Sequence, residues 1–327
     1  MKPTTLSALA LAAAAVAAPA FAQSSVTLYG RLNTTVESEK FNGGSRAWKV
    51  NDNASRIGFK GVEDMGGGMK ASFNLEHGFD ADTGSVRRSL NADGSLGSTR
   101  SFWAREAWVQ MAGGFGSVRL GNFTPESYFA TADYISMHNH DTGQSEDKLY
   151  DGPFVSANKV GYFTPTMGGF SGSLSVAAGE GAAKRYYDLA ANYVGGPLHL
   201  GFGYSDQGNT DQWAIRALYE LGALTFGTYY QQVDFGGSKY KNARVSAMYA
   251  MGASEFHVNF GKATNADQWT LGYNYNLSKR TKIYGYYTDR DTNKSTRRGD
   301  INVNNVKVSV SDVGAYSSLA VGVRHNF

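Results

Sequence analysis

Apolar and polar positions alternate with a period of two along most of the chain from Ser25 onward. In Ser25–Ser38, the residues Val26, Leu28, Leu32 and Val36 share one parity, and Thr27, Tyr29, Arg31, Asn33 and Thr35 share the other. Such a segment is a strand whose two faces meet different environments. Ala54–Val62 sets Ile57 and Phe59 against Arg56, Gly58 and Lys60. Met69–Gly78 sets Ala71, Phe73 and Leu75 against Lys70, Ser72, Asn74 and Glu76. Similar runs occupy Phe102–Met111, Gly116–Gly121, Asn158–Thr164, Phe170–Ala178, Tyr186–Tyr193, Leu198–Tyr204 and Gln212–Tyr219. They continue at Leu224–Val233, Ala243–Ala250, Glu255–Gly261, Gln268–Asn276, Lys282–Thr288 and Ala315–Phe327. The pattern predicts about 16 strands, of the kind that cross a membrane with about 9–11 residues each.

The connections alternate too. Short turns fall at Glu63-Asp64-Met65-Gly66-Gly67-Gly68, Gly113-Gly114, Thr166-Met167-Gly168-Gly169, Gly195-Gly196, Leu221-Gly222 and Leu277-Ser278-Lys279. Longer polar stretches fall between them, at 80–99, 122–157, 206–210, 235–240 and 291–314. Short turns on one side and longer loops on the other are the mark of an outer-membrane barrel. No fixed sequence period points to a solenoid. In the final strand, Leu319, Val321, Val323, His325 and Phe327 share one parity. An open edge would leave backbone groups unpaired in lipid, so this strand is expected to pair with the first and close the sheet. Aromatic pairs near strand ends, Phe102-Trp103, Tyr186-Tyr187, Tyr229-Tyr230 and Tyr286-Tyr287, suit interfacial girdles.

Residues 1–22 stand apart from this pattern. Lys2 precedes the small apolar run Leu6–Ala18, and Ala20-Phe21-Ala22 fits an A-x-A cleavage site. This predicts a secretory signal peptide cut after Ala22, leaving Gln23–Phe327 as a single barrel domain. The remaining chain has no apolar run long enough for a helical span. Composition agrees with a barrel: aromatic residues make up 13%, Gly is abundant at 40, Pro is scarce at 6 and Cys is absent. Mean hydropathy is −0.36, since lumen-facing and lipid-facing residues average out. The net charge of +3 has no basic run or stripe behind it, so no nucleic-acid footprint is present.

Asn122–Asn158 is the longest stretch without a strand pattern. A loop of that length in a compact fold is usually functional. We expect it to be a third external loop that folds into the lumen and narrows the pore.

Several stretches resemble the trimeric general porins of β-proteobacteria. They are Val26-Thr27-Leu28-Tyr29-Gly30, Ser55-Arg56-Ile57-Gly58-Phe59-Lys60-Gly61, Gly114-Phe115-Gly116-Ser117-Val118-Arg119-Leu120-Gly121 and Tyr162-Phe163-Thr164-Pro165. Leu277-Ser278-Lys279-Arg280-Thr281 and Gly322-Val323-Arg324-His325-Asn326-Phe327 complete the set. The resemblance implies an all-β, 16-stranded antiparallel transmembrane β-barrel in the outer membrane of a Gram-negative bacterium. It implies a homotrimer, contact with the lipid bilayer and lipopolysaccharide, and passive diffusion of small hydrophilic solutes and ions, with no cofactor. It also implies that the strand carrying Val323, His325 and Phe327 is read by the barrel-assembly machinery. One departure is Asn122, where relatives often carry Arg, so one positive charge at the constriction is missing.

Charge inside such a channel decides which ions pass. Parity puts Arg31, Arg56, Lys60, Lys70 and Arg119 on the polar face of the early strands, and Arg244 on a later one; Arg105 is ambiguous. The loop brings Glu126, Asp133, Asp141, Glu146, Asp147 and Asp151. A basic wall facing an acidic loop creates a transverse field and suggests mild anion preference. Enzyme-like signals are weak. His138-Asn139-His140-Asp141 fits no standard metal spacing, and no G-x-S-x-G elbow occurs. A barrel tuned to one solute class and a surface adhesin remain open as alternatives.

Overall fold

The computed structural model describes residues 25–41, 44–86, 88–90, 96–99, 101–133, 135, 149–181, 184–264, 266–292, 301–303, 306–308 and 315–327. The expected cleavage residues Ala20 and Ala22 lie outside them. Sixteen strands close into one antiparallel barrel. They are β1 (Ser25–Phe41), β2 (Arg56–Gly66), β3 (Met69–Asp80), β4 (Glu106–Gly113), β5 (Gly116–Asn122) and β6 (Lys159–Phe163). Next come β7 (Phe170–Ala177), β8 (Tyr186–Gly195), β9 (Leu198–Gln207), β10 (Thr210–Leu221) and β11 (Leu224–Phe235). The last are β12 (Ser238–Met251), β13 (Ser254–Ala263), β14 (Ala266–Asn276), β15 (Thr281–Thr292) and β16 (Tyr316–Asn326). Each pairs with its successor in the chain, and β16 pairs with β1 from Asn326 opposite Arg31 to Tyr316 opposite Phe41.

The two faces are inverted relative to a water-soluble protein. Leu189, Phe202, Ile215, Phe226, Val245, Val258, Leu271 and Leu319 are exposed on the outer face. Their inward neighbours Asp188, Ser205, Gln212, Gln231, Asn259, Gln268, Thr270 and Ser318 are buried. An apolar outside and a polar inside are what a barrel in lipid requires. No helix among the described residues is long and apolar enough to cross a membrane.

Three expectations change. The stretches 206–210 and 235–240 are strand ends closed by two-residue turns, with Gly208 at φ 70° and Gly236 at φ 61°. Their polar residues pair across strands, Asp206 with Asp211 and Asp234 with Lys239, so polarity there marks the top of the wall, not a loop. The run from Phe102 begins as a strand only at Glu106, because the Phe102 ring turns back to stack on His77 at 3.8 Å. The tyrosine pairs split across the wall: Tyr186, Tyr229 and Tyr286 are buried inward, and only Tyr187, Tyr230 and Tyr287 take the outward parity. A short strand, Ala47–Asp52, also extends the sheet beside β1, and Ala54 just beyond it takes φ 62°.

The seam is tight. Gly30 N donates to Phe327 O at 3.0 Å, and Phe327 N donates to Gly30 O at 3.1 Å. A Cβ on Gly30 would stand 2.3 Å from the Phe327 ring and 2.6 Å from the Arg56 carbonyl. Gly30→Ala is therefore expected to cost about 1–3 kcal/mol through overpacking. The check is the urea midpoint of unfolding in detergent, which should fall; an unchanged midpoint would show that the seam has slack.

Candidate pore and its inner loop

The chain leaves β5 at Asn122, whose side-chain Nδ2 donates to Trp103 O at 3.0 Å and Ala104 O at 3.1 Å. Asn122 thus holds the segment before β4 in place. Phe123 is fully buried, and its N–H donates to Ser156 O at 2.9 Å, joining the outgoing and returning limbs of the loop. Pro125 then starts α1 (Glu126–Thr131) and has no side chain with which to cap it. The first N–H groups of a helix need partners. Asp188 on β8 supplies them: its Oδ1 accepts from Glu126 N at 2.9 Å and Ser127 N at 3.3 Å. Its Oδ2 accepts from Ser127 Oγ and, at 3.1 Å, from Tyr186 Oη. A carboxylate there also complements the positive end of the helix.

The helix lies against β9 because that strand carries Gly201 and Gly203 at the contact. A Cβ on Gly201 would meet Ala130 O at 1.8 Å, and one on Gly203 would meet Ser127 O at 2.6 Å. The returning limb docks further round the wall. Tyr150 Oη is 2.6 Å from Thr131 Oγ1 and donates to Gln212 Oε1 at 3.4 Å. Asp151 N donates to Gln231 Oε1 at 3.0 Å, and Ser246 Oγ donates to Ile135 O. Asp188, Gln212, Gln231 and Ser246 all point inward, so the described ends of the 122–158 segment rest on the inner face of β8–β12. Residues 136–148, which carry Asp141, Glu146, Asp147 and the His138–Asp141 run, lie outside the described residues.

Among the expected cations, Arg119 meets the start of the loop. Its Nη1 is 3.3 Å from Glu126 Oε1, and its Nε donates to Gln110 Oε1 at 2.9 Å. Its guanidinium lies 4.3 Å from the ring centres of both Trp108 and Phe163. Arg31 donates to Asn326 Oδ1 at 3.1 Å and stands opposite Arg56 in the β1–β2 register. Arg56 Nη1 is 3.7 Å from Glu76 Oε1, and Arg105 Nε donates to the same oxygen at 2.5 Å, which resolves Arg105 to the inner face. Lys60 lies 5.1 Å over the Tyr29 ring, in an exposed position. Lys70 is exposed by the short turn after β2, opposite Asp64 and Ala112, away from the loop. Arg244 is 1% exposed, bonded to Asn259 and to Gln268 Oε1 at 3.1 Å. It is a covered wall residue. Asp133 is buried, and the Asp151 carboxylate accepts from Gly152 N at 2.8 Å.

Three residues missed by the parity reading hold the site together. Asp188 is the anchor of α1. Glu76 gathers Arg56, Arg105 and, at 2.9 Å, the Tyr29 hydroxyl. Lys159, at the foot of β6, is 1% exposed with its Nζ 4.1 Å from the Phe123 ring centre. The alternation contained all three as inward positions, but not the partners that set them apart. Burial pushes the Glu126 carboxyl up to about 7; Arg119 pulls the other way, and Asp188 pushes up further.

An antiparallel barrel with an apolar outside and a polar, charged inside defines a membrane channel. The chain belongs to the Gram-negative porin family, whose model matches residues 8–295. It is 30% identical to outer membrane porin protein 32 of Delftia acidovorans, over 98% of this chain and 99% of that one. It is 27% identical to the major outer membrane protein P.IB of Neisseria meningitidis serogroup B, over 85% and 90%. Among solved structures, an anion-selective porin from Comamonas acidovorans superposes with a TM-score of 0.73 at 25% identity, covering 93% of this chain and all of that one. OmpF of Salmonella typhi shares the fold with a TM-score of 0.69 at 15% identity, covering 92% of this chain and 97% of that one. These relatives are porins, which are channels rather than enzymes. The protein is an outer-membrane porin, forming a water-filled channel for passive diffusion.

Asp188→Asn keeps the side-chain volume but removes the charge that accepts from α1. Weakening several charge-assisted bonds should destabilise the loop by about 2–3 kcal/mol. The readout is limited proteolysis of the folded barrel, where cleavage within 122–158 should accelerate; unchanged cleavage would remove Asp188 as the anchor.

Proposed function

We propose that the 122–158 segment narrows the channel, and that its charge balance gives the pore a weak anion preference. The observation carrying this reading is the Arg119–Glu126 contact between the wall of β5 and the start of α1. It joins a wall cation to a loop acid on the inner face. Further cations line the wall nearby. Lys282 on β15 stands opposite Arg324 on β16, and Arg31 on β1 stands opposite Arg56 on β2. Four consecutive strands thus each present an inward base. In this reading Arg31, Arg56, Lys60 and Arg119 act on passing ions, Lys70 acts at the exit, and Arg244 braces the wall. Glu126, Asp133 and Asp151, together with Asp141, Glu146 and Asp147, temper the preference. The relative from Comamonas is described as anion-selective, in line with this sign.

The same proposal includes a cleaved peptide at residues 1–22 and assembly as a homotrimer in contact with lipopolysaccharide. It includes recognition of Val323, His325 and Phe327 by the assembly machinery. The outward parity of those three residues at the closing strand is compatible with that role. The OmpT barrel of Vibrio cholerae, which shares the fold, is described in a trimer form.

The test is the reversal potential of refolded protein in a planar bilayer under a salt gradient. An anion-favouring potential, with insertion steps in multiples of three, is expected. A cation-favouring potential would overturn the charge argument.

The pH dependence follows from Glu126. With its carboxyl near 7, it is about nine-tenths protonated at pH 6 and about one-tenth at pH 8. Arg119 stays charged throughout. Lowering the pH from 8 to 6 therefore removes a negative charge beside a retained positive one, and anion preference should rise. In Glu126→Gln the preference should already be higher at pH 8 and rise less down to pH 6 than in the wild type. A wild-type reversal potential with no slope in this range would contradict the assignment.

A further inference from the structure

We propose that the junction of the loop's two limbs is a binding subsite for small organic ammonium ions. This rests on the reading of 122–158 as the pore loop. A cavity of about 260 Å³ opens there, walled by Tyr128, Tyr150 and Phe154 with Pro125, Pro153 and Asp151. The Tyr150 ring stands 5.7 Å from that of Tyr128 at 78°, and the Phe154 ring stands 5.5 Å from it at 77°. Two rings set edge-on to a third make the corner of a box. Phe154 is 56% exposed, so an aromatic surface is left uncovered at this corner.

The chemistry of the walls selects the ligand. Aromatic faces are negative at their centres and attract cations, most strongly when the cation is weakly hydrated. Among the described residues, Asp151 is the one carboxylate that lines the cavity, and none of those lining it is Lys, Arg or His. A sugar would need several free hydrogen-bonding groups, and those nearby are engaged. The Ser127 hydroxyl is given to Asp188, and the Tyr150 hydroxyl lies 2.6 Å from Thr131 Oγ1. Gln212 donates to Ser205 Oγ at 3.1 Å and accepts from Gln231 Nε2 at 3.1 Å. Three apolar ring walls and one carboxylate suit an alkylated ammonium such as choline. The volume is small for a ligand cavity, where about 300 Å³ is the usual lower end, which also favours a compact cation over a disaccharide. The subsite has the opposite sign to the wall cations, so an ammonium ion would linger beside the loop of a channel that otherwise favours anions.

The experiment is single-channel recording of the full-length protein in concentrated KCl, with millimolar choline chloride added to the loop side, and with glucose in a parallel arm. Choline should produce brief, dose-dependent interruptions of the current. Their duration should fall about fivefold in Phe154→Leu, which keeps an apolar side chain but lacks the ring, and again in Asp151→Asn. Interruptions that persist undiminished in both variants would overturn the proposal. So would an open channel that choline leaves undisturbed, and so would interruption by glucose alone. A barrel that carries no current at all would instead sink the porin-loop reading beneath it.

Discussion

In the hydrocarbon of a bilayer no water is present to accept from an N–H or donate to a C=O, so every backbone group must be paired within the protein. A sheet meets that demand only by closing on itself. Here the demand falls on the β1–β16 seam, where Gly30 and Phe327 exchange backbone hydrogen bonds and the Phe327 ring occupies the space a Gly30 side chain would fill. Once the sheet is closed, the period of two does the rest. Each strand sends alternate residues into lipid and into the lumen, and the inside becomes a polar surface enclosed by an apolar one. At 16 strands the enclosed space is wide enough for water. A barrel of this size conducts by default, and the remaining structure concerns how that passage is restricted.

In the proposed reading, restriction in this porin begins with a helix that cannot cap itself. Pro125 has no donor to spare and no capping side chain, so α1 takes its cap from Asp188 on the opposite strand of the contact. The same carboxylate binds the Ser127 and Tyr186 hydroxyls. Glycines at positions 201 and 203 bring the helix backbone onto the wall. The cap, the close approach and the buried Phe123 fix the root of the loop, which leaves Glu126 beside Arg119 in a poorly hydrated place. The raised carboxyl of Glu126 is a consequence of this anchoring. The electrostatics of the root are therefore set by packing as much as by the count of charges.

The barrel was legible in the sequence because a strand in lipid writes its environment into every second residue. All sixteen strands appear as alternating runs, and the closing strand is recognisable from Leu319 to Phe327. The errors come from local polarity. Asp206, Asp211, Asp234 and Lys239 looked like loop residues, yet they form cross-strand pairs where the wall rises out of the membrane. The tyrosine doublets looked like girdle, yet adjacent residues in a strand must face opposite ways. The charged site was legible only in part. Arg119 lies on β5 and Glu126 at the start of α1, and the two meet. Asp188, Glu76 and Lys159 were invisible as special positions, since their meaning comes from partners far away in sequence. Arg244 shows the converse: inward parity did not reveal that it is buried and bonded to Asn259 and Gln268.

Closure, inversion of the faces and the anchored loop support the proposal made above: solutes pass through a water-filled lumen whose narrowest part is set by the 122–158 segment. The most direct measurement is the swelling rate of liposomes containing the refolded protein, in a series of uncharged sugars of rising size. The account predicts rates that fall smoothly and steeply with solute size, and a shallower fall when residues 136–148 are replaced by a short Gly-Ser linker. Equal size dependence in the two proteins would contradict the role of the loop, and no swelling from a folded barrel would contradict the open lumen itself.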